Sequence, residues 1–149
     1  MNIGEALRGV TRLFLDTAPV IYYVEKNERY AALVQVVFDQ VDAGALTAIT
    51  SPVTLAECLV YPYRRELAQL QQDFLDLVVS GEGTDFMPID EIIAQRAAQL
   101  RARYNLALDD AFQITTALVA QCDAVLTNDA TLKRVAELKV IVLDELETP

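Results

Sequence analysis

Residues 12–19, Arg-Leu-Phe-Leu-Asp-Thr-Ala-Pro, decide the fold of this chain. The short apolar run ends at a carboxylate, which predicts a buried strand over Arg12–Asp16. The following Thr-Ala-Pro predicts that a helix opens directly afterwards, because proline suits a first helical turn. Asp16 therefore lies where a strand passes into a helix.

The same alternation of short apolar runs and longer amphipathic segments continues to the end of the chain. Further strands are predicted over residues 46–50, 86–89, 124–126 and 140–143, and further helices over 30–42, from 51 onward, 64–79, 90–104, 108–121 and 131–138. Buried strands alternating with helices imply parallel pairing with helices on both faces. We predict a single domain over residues 1–149, with an α/β fold of three layers, α/β/α, around a central parallel sheet of about five strands.

Four carboxylates fall where this pattern changes between strand and helix. Asp16 and Asp129 follow strands, while Glu57 and Asp110 lie in the first turns of helices. In parallel sheets, sites form outside the carboxyl ends of the strands. All four are therefore expected to face one crevice.

The chain contains no histidine, and this narrows the chemistry of such a crevice. Ser-His-Asp and Cys-His nucleophile systems and His-ligated zinc are excluded. Oxygen ligands alone suit a hard divalent cation such as Mg²⁺ or Mn²⁺. The carboxylates together predict a metal-dependent enzyme acting on phosphoryl groups.

Each acid also has a simpler interpretation. Asp16 and Asp129 are both positioned to cap the helix that follows them, and one of Asp109 and Asp110 can be a cap while the other is a ligand. Glu57 either faces the surface or lies among apolar neighbours, where an unpaired carboxylate would be costly. The prediction depends on their convergence and not on any one of them.

Composition describes a packed chain with an unusual charge for an enzyme of nucleic acids. Hydrophobic residues make up 53% of the sequence, no apolar run reaches membrane-spanning length, and we expect a cytoplasmic protein. Cys58 and Cys122 form no metal pattern and are expected to be packed, reduced thiols. The net charge of −10 calls for a local basic patch, a bound metal or a basic partner if the substrate is a nucleic acid.

The order and local sequences of these segments resemble those of the PIN-domain ribonucleases, especially the VapC-type toxins of toxin–antitoxin pairs. The matching stretches are Leu-Asp-Thr at 15–17, Thr-Leu-Ala-Glu at 54–57, Asp-Ala at 110–111 with Ile114 and Thr116 following, and Leu-Thr-Asn-Asp at 126–129. The resemblance covers residues 12–143. Each motif is weak alone, and the ordered set is fairly specific.

The resemblance implies that Asp16, Glu57, Asp110 and Asp129 are an acidic quartet. Asp109 stands where the family often has proline or an apolar residue, and Asp110 is favoured as the third acid because an alanine follows it. We expect Asp16, Asp110 and Asp129 to hold one or two Mg²⁺ or Mn²⁺ ions and Glu57 to orient or deprotonate the attacking water. Thr17 and Thr127 are candidates to hydrogen-bond a ligand carboxylate or the phosphate.

The implied function is an endoribonuclease that leaves a 5′-phosphate and a 3′-hydroxyl, with an RNA substrate and a cognate antitoxin as partners. We also expect a homodimer. The pairs Arg64–Arg65 and Lys133–Arg134 are candidates for RNA contact or solvated helix faces.

The main alternative is a non-catalytic PIN-like module that binds a protein. A phosphatase of the haloacid-dehalogenase type is disfavoured because Ala18 stands where its second Asp is needed.

Overall fold

The computed structural model describes residues 1–149 and contains seven α-helices, five strands and two 3₁₀ turns. In chain order they are α1 (Ile3–Ala6), β1 (Arg12–Leu15), α2 (Thr17–Val24), α3 (Ala31–Asp42), β2 (Thr47–Thr50), α4 (Pro52–Arg64), α5 (Ala68–Val78), β3 (Thr84–Phe86), α6 (Glu91–Tyr104), α7 (Leu108–Val119), β4 (Ala124–Thr127), a 3₁₀ turn (Ala130–Arg134), β5 (Lys139–Val142) and a second 3₁₀ turn (Leu143–Glu145).

The five strands form one parallel sheet in the order β3-β2-β1-β4-β5. The chain moves outward from β1 to β3 on one side and then crosses to β4 and β5 on the other. Neighbouring connections therefore leave the sheet in opposite directions beside β1, which opens a crevice at its carboxyl end.

Alternating side chains of β1 enter two separate cores. Leu13 and Leu15 join the larger core, with helices α1 to α5, whereas Phe14 joins the smaller core, with α6, α7 and the first 3₁₀ turn. This is the alternation that a strand buried on both faces requires. The predicted three-layer α/β/α architecture with a parallel five-stranded sheet is confirmed.

The helix predicted over residues 64–79 begins later, at Ala68, because α4 continues through Pro62 to Arg64. The chain then turns at Glu66, whose φ of 54° is left-handed, and Leu67 N–H donates to the carbonyl of Pro62 at 2.9 Å. This bonding closes the carbonyl end of α4. A glycine usually supplies this turn, so the sequence carried no signal for it.

The predicted position of the third strand was also wrong. It covers Thr84–Phe86 and not residues 86–89. The ladder with β2 ends where Met87 N–H donates to the carbonyl of Thr50, because Pro88 has no N–H to continue it. The helix predicted over 131–138 is a 3₁₀ turn that ends at Arg134, after which Val135 is extended.

Both cysteines are free thiols, as predicted, and burial raises the pKa of each to about 12. Neither is poised for reaction as a thiolate at neutral pH. No helix of the protein is long and apolar enough to span a bilayer.

Candidate active site

Asp16 lies directly after β1, at the carboxyl edge of the sheet, and is only 9% exposed. Its side chain makes no capping hydrogen bond to α2, so the interpretation of Asp16 as a helix cap is wrong. Instead the hydroxyl of Thr127, at the end of β4, donates to Asp16 Oδ2 at 2.7 Å. Burial raises the pKa of Asp16 despite this hydrogen bond, and the negative charge of Asp129 raises it further.

Asp129 is held on the same edge by Thr127 and Thr131. The backbone N–H of Asp129 donates to Thr127 Oγ1 at 3.0 Å, so one threonine links two of the acids. Asp129 Oδ1 accepts from the N–H and the hydroxyl of Thr131 at 2.9 and 2.7 Å, which confirms its interpretation as a cap of the following turn. Both capping bonds reach Oδ1, and Oδ2 stays available.

Glu57 lies in the second turn of α4, not in the first turn as predicted, because the helix already begins at Pro52. Its side chain is on the exposed face of α4, so the surface-facing interpretation of this residue is the one observed. The hydroxyl of Thr17 donates to Glu57 Oε1 at 2.7 Å. The pKa of Glu57 is raised, first by partial burial, then by the neighbouring carboxyl of Asp109 and the charge of Asp16. Thr127 thus donates to Asp16, a predicted ligand carboxylate, whereas Thr17 donates to Glu57, which was predicted to act on the attacking water.

Asp110, in the first turn of α7, shows most clearly that the acids converge. It is half-buried, and its pKa is raised to about 7 by burial and then by repulsion from Asp109, Asp16, Asp129 and Glu57. Burial alone raises the pKa of a carboxyl group, and nearby negative charges add to that rise. The structure therefore brings the four predicted acids into one electrostatic field, with Asp109 as a fifth member.

A buried polar network beneath the acids was missed by the sequence analysis. Gln113, 1% exposed on α7, accepts from the hydroxyl of Ser51 at 2.5 Å and donates to Thr54 Oγ1 at 2.7 Å. Thr54 donates in turn to the carbonyl of Leu15, the residue before Asp16, at 3.3 Å. Through these bonds α4 and α7 are fixed to the end of β1, and with them Glu57 and Asp110.

We expect Gln113→Leu to lower the free energy of unfolding by about 2–3 kcal/mol, because the buried groups of Ser51 and Thr54 lose a partner. Urea unfolding followed by circular dichroism measures this loss. Gln99→Leu, at an exposed position of α6, is the matched control and should change stability little. Equal effects of the two substitutions would mean that the network does not hold the site.

The donor set fits a hard divalent cation. All the converging side chains present oxygen, and a cation would relieve the repulsion that raises the pKa of Asp110. No three His, Cys, Asp or Glu side chains lie close enough together to coordinate a metal ion directly. Mg²⁺ keeps several of its waters in proteins, so one or two direct carboxylate contacts suffice to bind it.

Asp110 should make the stability of the metal-free protein fall with rising pH. Its pKa of about 7 in the folded state exceeds its ordinary value of 3.8, so between these pH values the native state binds more protons than the unfolded state. Its contribution to stability is complete below about pH 4 and is lost as the pH rises through about 7. The free energy of unfolding of Asp110→Asn, relative to that of the parent, should therefore rise between pH 5 and pH 8. We expect a rise of about 1–2 kcal/mol after discounting for solvent screening. Urea titrations at the two pH values measure this gain, and an equal difference at both would contradict it.

The largest cavity, about 650 Å³, does not include any of these acids. It lies between α2, α3 and α5, and its lining includes Tyr23, Gln35, Asp73 and Leu77. The candidate site is thus an open edge of the sheet and not an enclosed pocket.

A sequence model described as the PIN domain matches residues 13–138. A search of curated protein sequences finds no match. Similar solved structures include VapBC2 from Rickettsia felis bound to a promoter DNA fragment, with a TM-score of 0.69, 16% identity, and coverage of 89% of this chain and 98% of that chain.

Two further solved structures are similar in fold. A toxin–antitoxin complex from Klebsiella pneumoniae has a TM-score of 0.64 and 20% identity, with coverage of 88% of this chain and 97% of that chain. DNA-bound VapBC from Salmonella typhimurium has a TM-score of 0.64 and 18% identity, with coverage of 89% and 98%. At these identities the likeness shows a shared fold.

Proposed function

The chain belongs to the PIN-domain family, and from this premise we propose that it is a metal-dependent endoribonuclease and the toxin of a toxin–antitoxin pair. The observation that carries the proposal is the convergence of the acids at one edge of the sheet, where burial and then the charges of four other carboxylates raise the pKa of Asp110 to about 7. Such a cluster is unfavourable in a metal-free protein and is suited to binding a cation beside a phosphate.

Three of the acids would hold Mg²⁺ or Mn²⁺, one or two of them by direct contact and the rest through metal-bound water. Asp16 is oriented by Thr127, Asp129 by Thr131, and Asp110 projects from the first turn of α7. When bound, the ion supplies positive charge that activates water and stabilises the charge developing on the phosphate. The fixed hydroxyl donors keep the carboxylates in place before an ion arrives.

Glu57 is suited to the proton transfer. It is exposed enough to meet water, its pKa is raised, and Thr17 fixes one of its oxygens by hydrogen bonding. In the proposed reaction the water oxygen attacks phosphorus, Glu57 takes the proton from that water, the bond from phosphorus to O3′ breaks, and the departing O3′ takes a proton from solvent. The products are a 5′-phosphate and a 3′-hydroxyl, and the RNA 2′-hydroxyl takes no part.

The proposed partner is an antitoxin with a basic segment. Solved structures of similar fold are described as toxin–antitoxin complexes, and this chain carries a net charge of −10 with acids converging at one edge. An arginine of the antitoxin, placed against Asp16, Glu57, Asp110 and Asp129, would neutralise them and displace the metal, because its planar fork engages carboxylates. A homodimer is part of the same proposal.

Incubation of the purified protein with total cellular RNA and Mn²⁺, followed by mapping of the cut ends, tests the function. We expect internal cuts with 5′-phosphate ends. Ends bearing 2′,3′-cyclic phosphate would contradict the proposed chemistry. Intact RNA, with the folded protein verified by circular dichroism, would favour the non-catalytic protein-binding module instead.

A further inference from the structure

The outward face of α4 carries a row of side chains that starts at Glu57. Tyr61 and Arg64 follow Glu57 by four and seven residues, so all three lie on one side of the helix. They are displaced from Glu57 by about 6 and 10 Å along the helix axis, at 1.5 Å per residue. Tyr61 is 50% exposed, although it is a large aromatic side chain.

Arg65 completes this row at the end of α4. Its guanidinium carbon lies 6.0 Å from the centre of the Tyr61 ring, within the range of a cation–π contact. Neither Arg64 nor Arg65 makes a side-chain hydrogen bond or an ion pair with the protein. The guanidinium group of Arg65 is therefore free beside an exposed aromatic ring, and that of Arg64, the preceding residue, is free as well.

Free cations are scarce in this acidic chain. Of the twelve lysines and arginines, those whose side chains bond to protein oxygens are Arg12, Arg29, Arg101, Arg103, Lys133 and Lys139. Those without such a bond are Arg8, Lys26, Arg64, Arg65, Arg96 and Arg134. Only Arg64 and Arg65 among these are neighbours in sequence. In the other predicted pair, Lys133–Arg134, only Arg134 is free, because Lys133 bonds to Glu145.

We propose that Tyr61, Arg64 and Arg65 form the binding track for single-stranded RNA that leads to Glu57, an inference that rests on the proposed function. A base would stack on the Tyr61 ring, and the two guanidinium groups would bind the phosphates of the same strand. The acids at the sheet edge repel bare RNA, and the track supplies attraction within about 12 Å of Glu57 along the helix axis. Unpaired bases are required, because stacking on Tyr61 needs a free base face.

Binding is measured in the Asp16→Asn background with chelator present, so that cleavage does not interfere. The probe is a fluorescent mixed-sequence RNA of about 12 nucleotides, titrated at several KCl concentrations. We expect Arg64→Gln combined with Arg65→Gln to weaken binding and to make the slope of log affinity against log salt shallower by about 1.4, since each phosphate contact contributes about 0.7. Tyr61→Leu should weaken binding at least about fivefold with the slope unchanged.

The control combines Arg8→Gln with Arg96→Gln, which changes net charge equally at free arginines away from the track. Its salt slope should equal that of the background protein. In the active protein with Mn²⁺, the Arg64/Arg65 double variant should raise KM and leave kcat nearly unchanged. A role in catalysis itself would lower kcat instead.

An unchanged affinity and salt slope in the double variant would overturn the inference, and cleavage by the parent would then leave the proposed function standing. A double variant that elutes as a different oligomer but binds RNA like the background would make this face a protein interface and also overturn it. If the parent cleaves no RNA, the proposed function fails, and the difference in RNA binding between the background protein and the double variant still decides whether the track exists.

Discussion

Asp16→Asn should reduce RNA cleavage by at least about 100-fold while the fold stays intact. The substitution keeps the size of the side chain and leaves an oxygen to accept from Thr127, but it removes a charge that the proposed cation requires. Removal of a preorganised electrostatic group typically lowers kcat by about 10²–10³. Because burial raises the pKa of Asp16, the charged form is unfavourable in the folded protein, and the variant should be slightly more stable than the parent.

Asp123→Asn is the matched control for this prediction. Asp123 lies at the opposite edge of the sheet, where its Oδ2 accepts from the N–H groups of Thr11 and Arg12 at 2.9 Å, and these bonds lower its pKa. Its substitution should leave cleavage near the parental rate and reduce stability. Rates are compared on one synthetic RNA, and Asp110→Asn should lose more activity than Asp109→Asn. Parental activity in Asp16→Asn, free of contaminating nuclease, would refute the mechanism.

Chelation of divalent metal should abolish cleavage, and added Mg²⁺ or Mn²⁺ should restore it. The same ions should raise the melting temperature, because a ligand that binds only the native state stabilises it by about 2.7 kcal/mol at 100 times its Kd. For a chain of this size each kcal/mol corresponds to about 2–4 °C. Ca²⁺ should bind and raise the melting temperature without supporting turnover.

Differential scanning calorimetry with and without each ion, beside the cleavage assay, measures both effects. The rise in melting temperature should shrink in Asp16→Asn, which controls for non-specific binding to an acidic protein. Undiminished cleavage in excess chelator would rule out a metal-dependent reaction.

The sequence predicted the fold and the convergence of the acids because both follow from short-range patterns. The apolar run before Asp16 and the proline after it mark a strand and a helix by steric and burial preferences alone. Once the strands are parallel, residues at their carboxyl ends must share an edge. Thr127 and Thr17 were predictable for the same reason, since each lies within two residues of an acid or of a strand end.

Gln113 was not predictable, because its importance depends on contacts with α4 that are remote in sequence. It lies three residues after Asp110 on α7, and its partners Ser51 and Thr54 are about 60 residues away. No periodicity distinguishes a glutamine that is buried in a network from one on a solvated face. Burial with satisfied bonds becomes visible only when the two helices are packed.

The first helix had a signal that the sequence analysis left unused. Asn2 accepts from the N–H of Glu5 at 2.8 Å, and the Glu5 side chain accepts from the N–H of Asn2 at 3.1 Å. An Asn followed three residues later by Glu matches the pattern of a capping box. The left-handed turn at Glu66, which follows α4, had no such signal, since no glycine marks it.

Calorimetric titration of Mn²⁺ into the parent and Asp16→Asn proteins, side by side, tests the central claim that the converging carboxylates form one cation site. The account predicts saturable binding to the parent, strongly weakened in Asp16→Asn, with uptake that releases protons near pH 7 because Asp110 must ionise. Equal Mn²⁺ affinity in the two proteins, or no saturable binding to either, would contradict it.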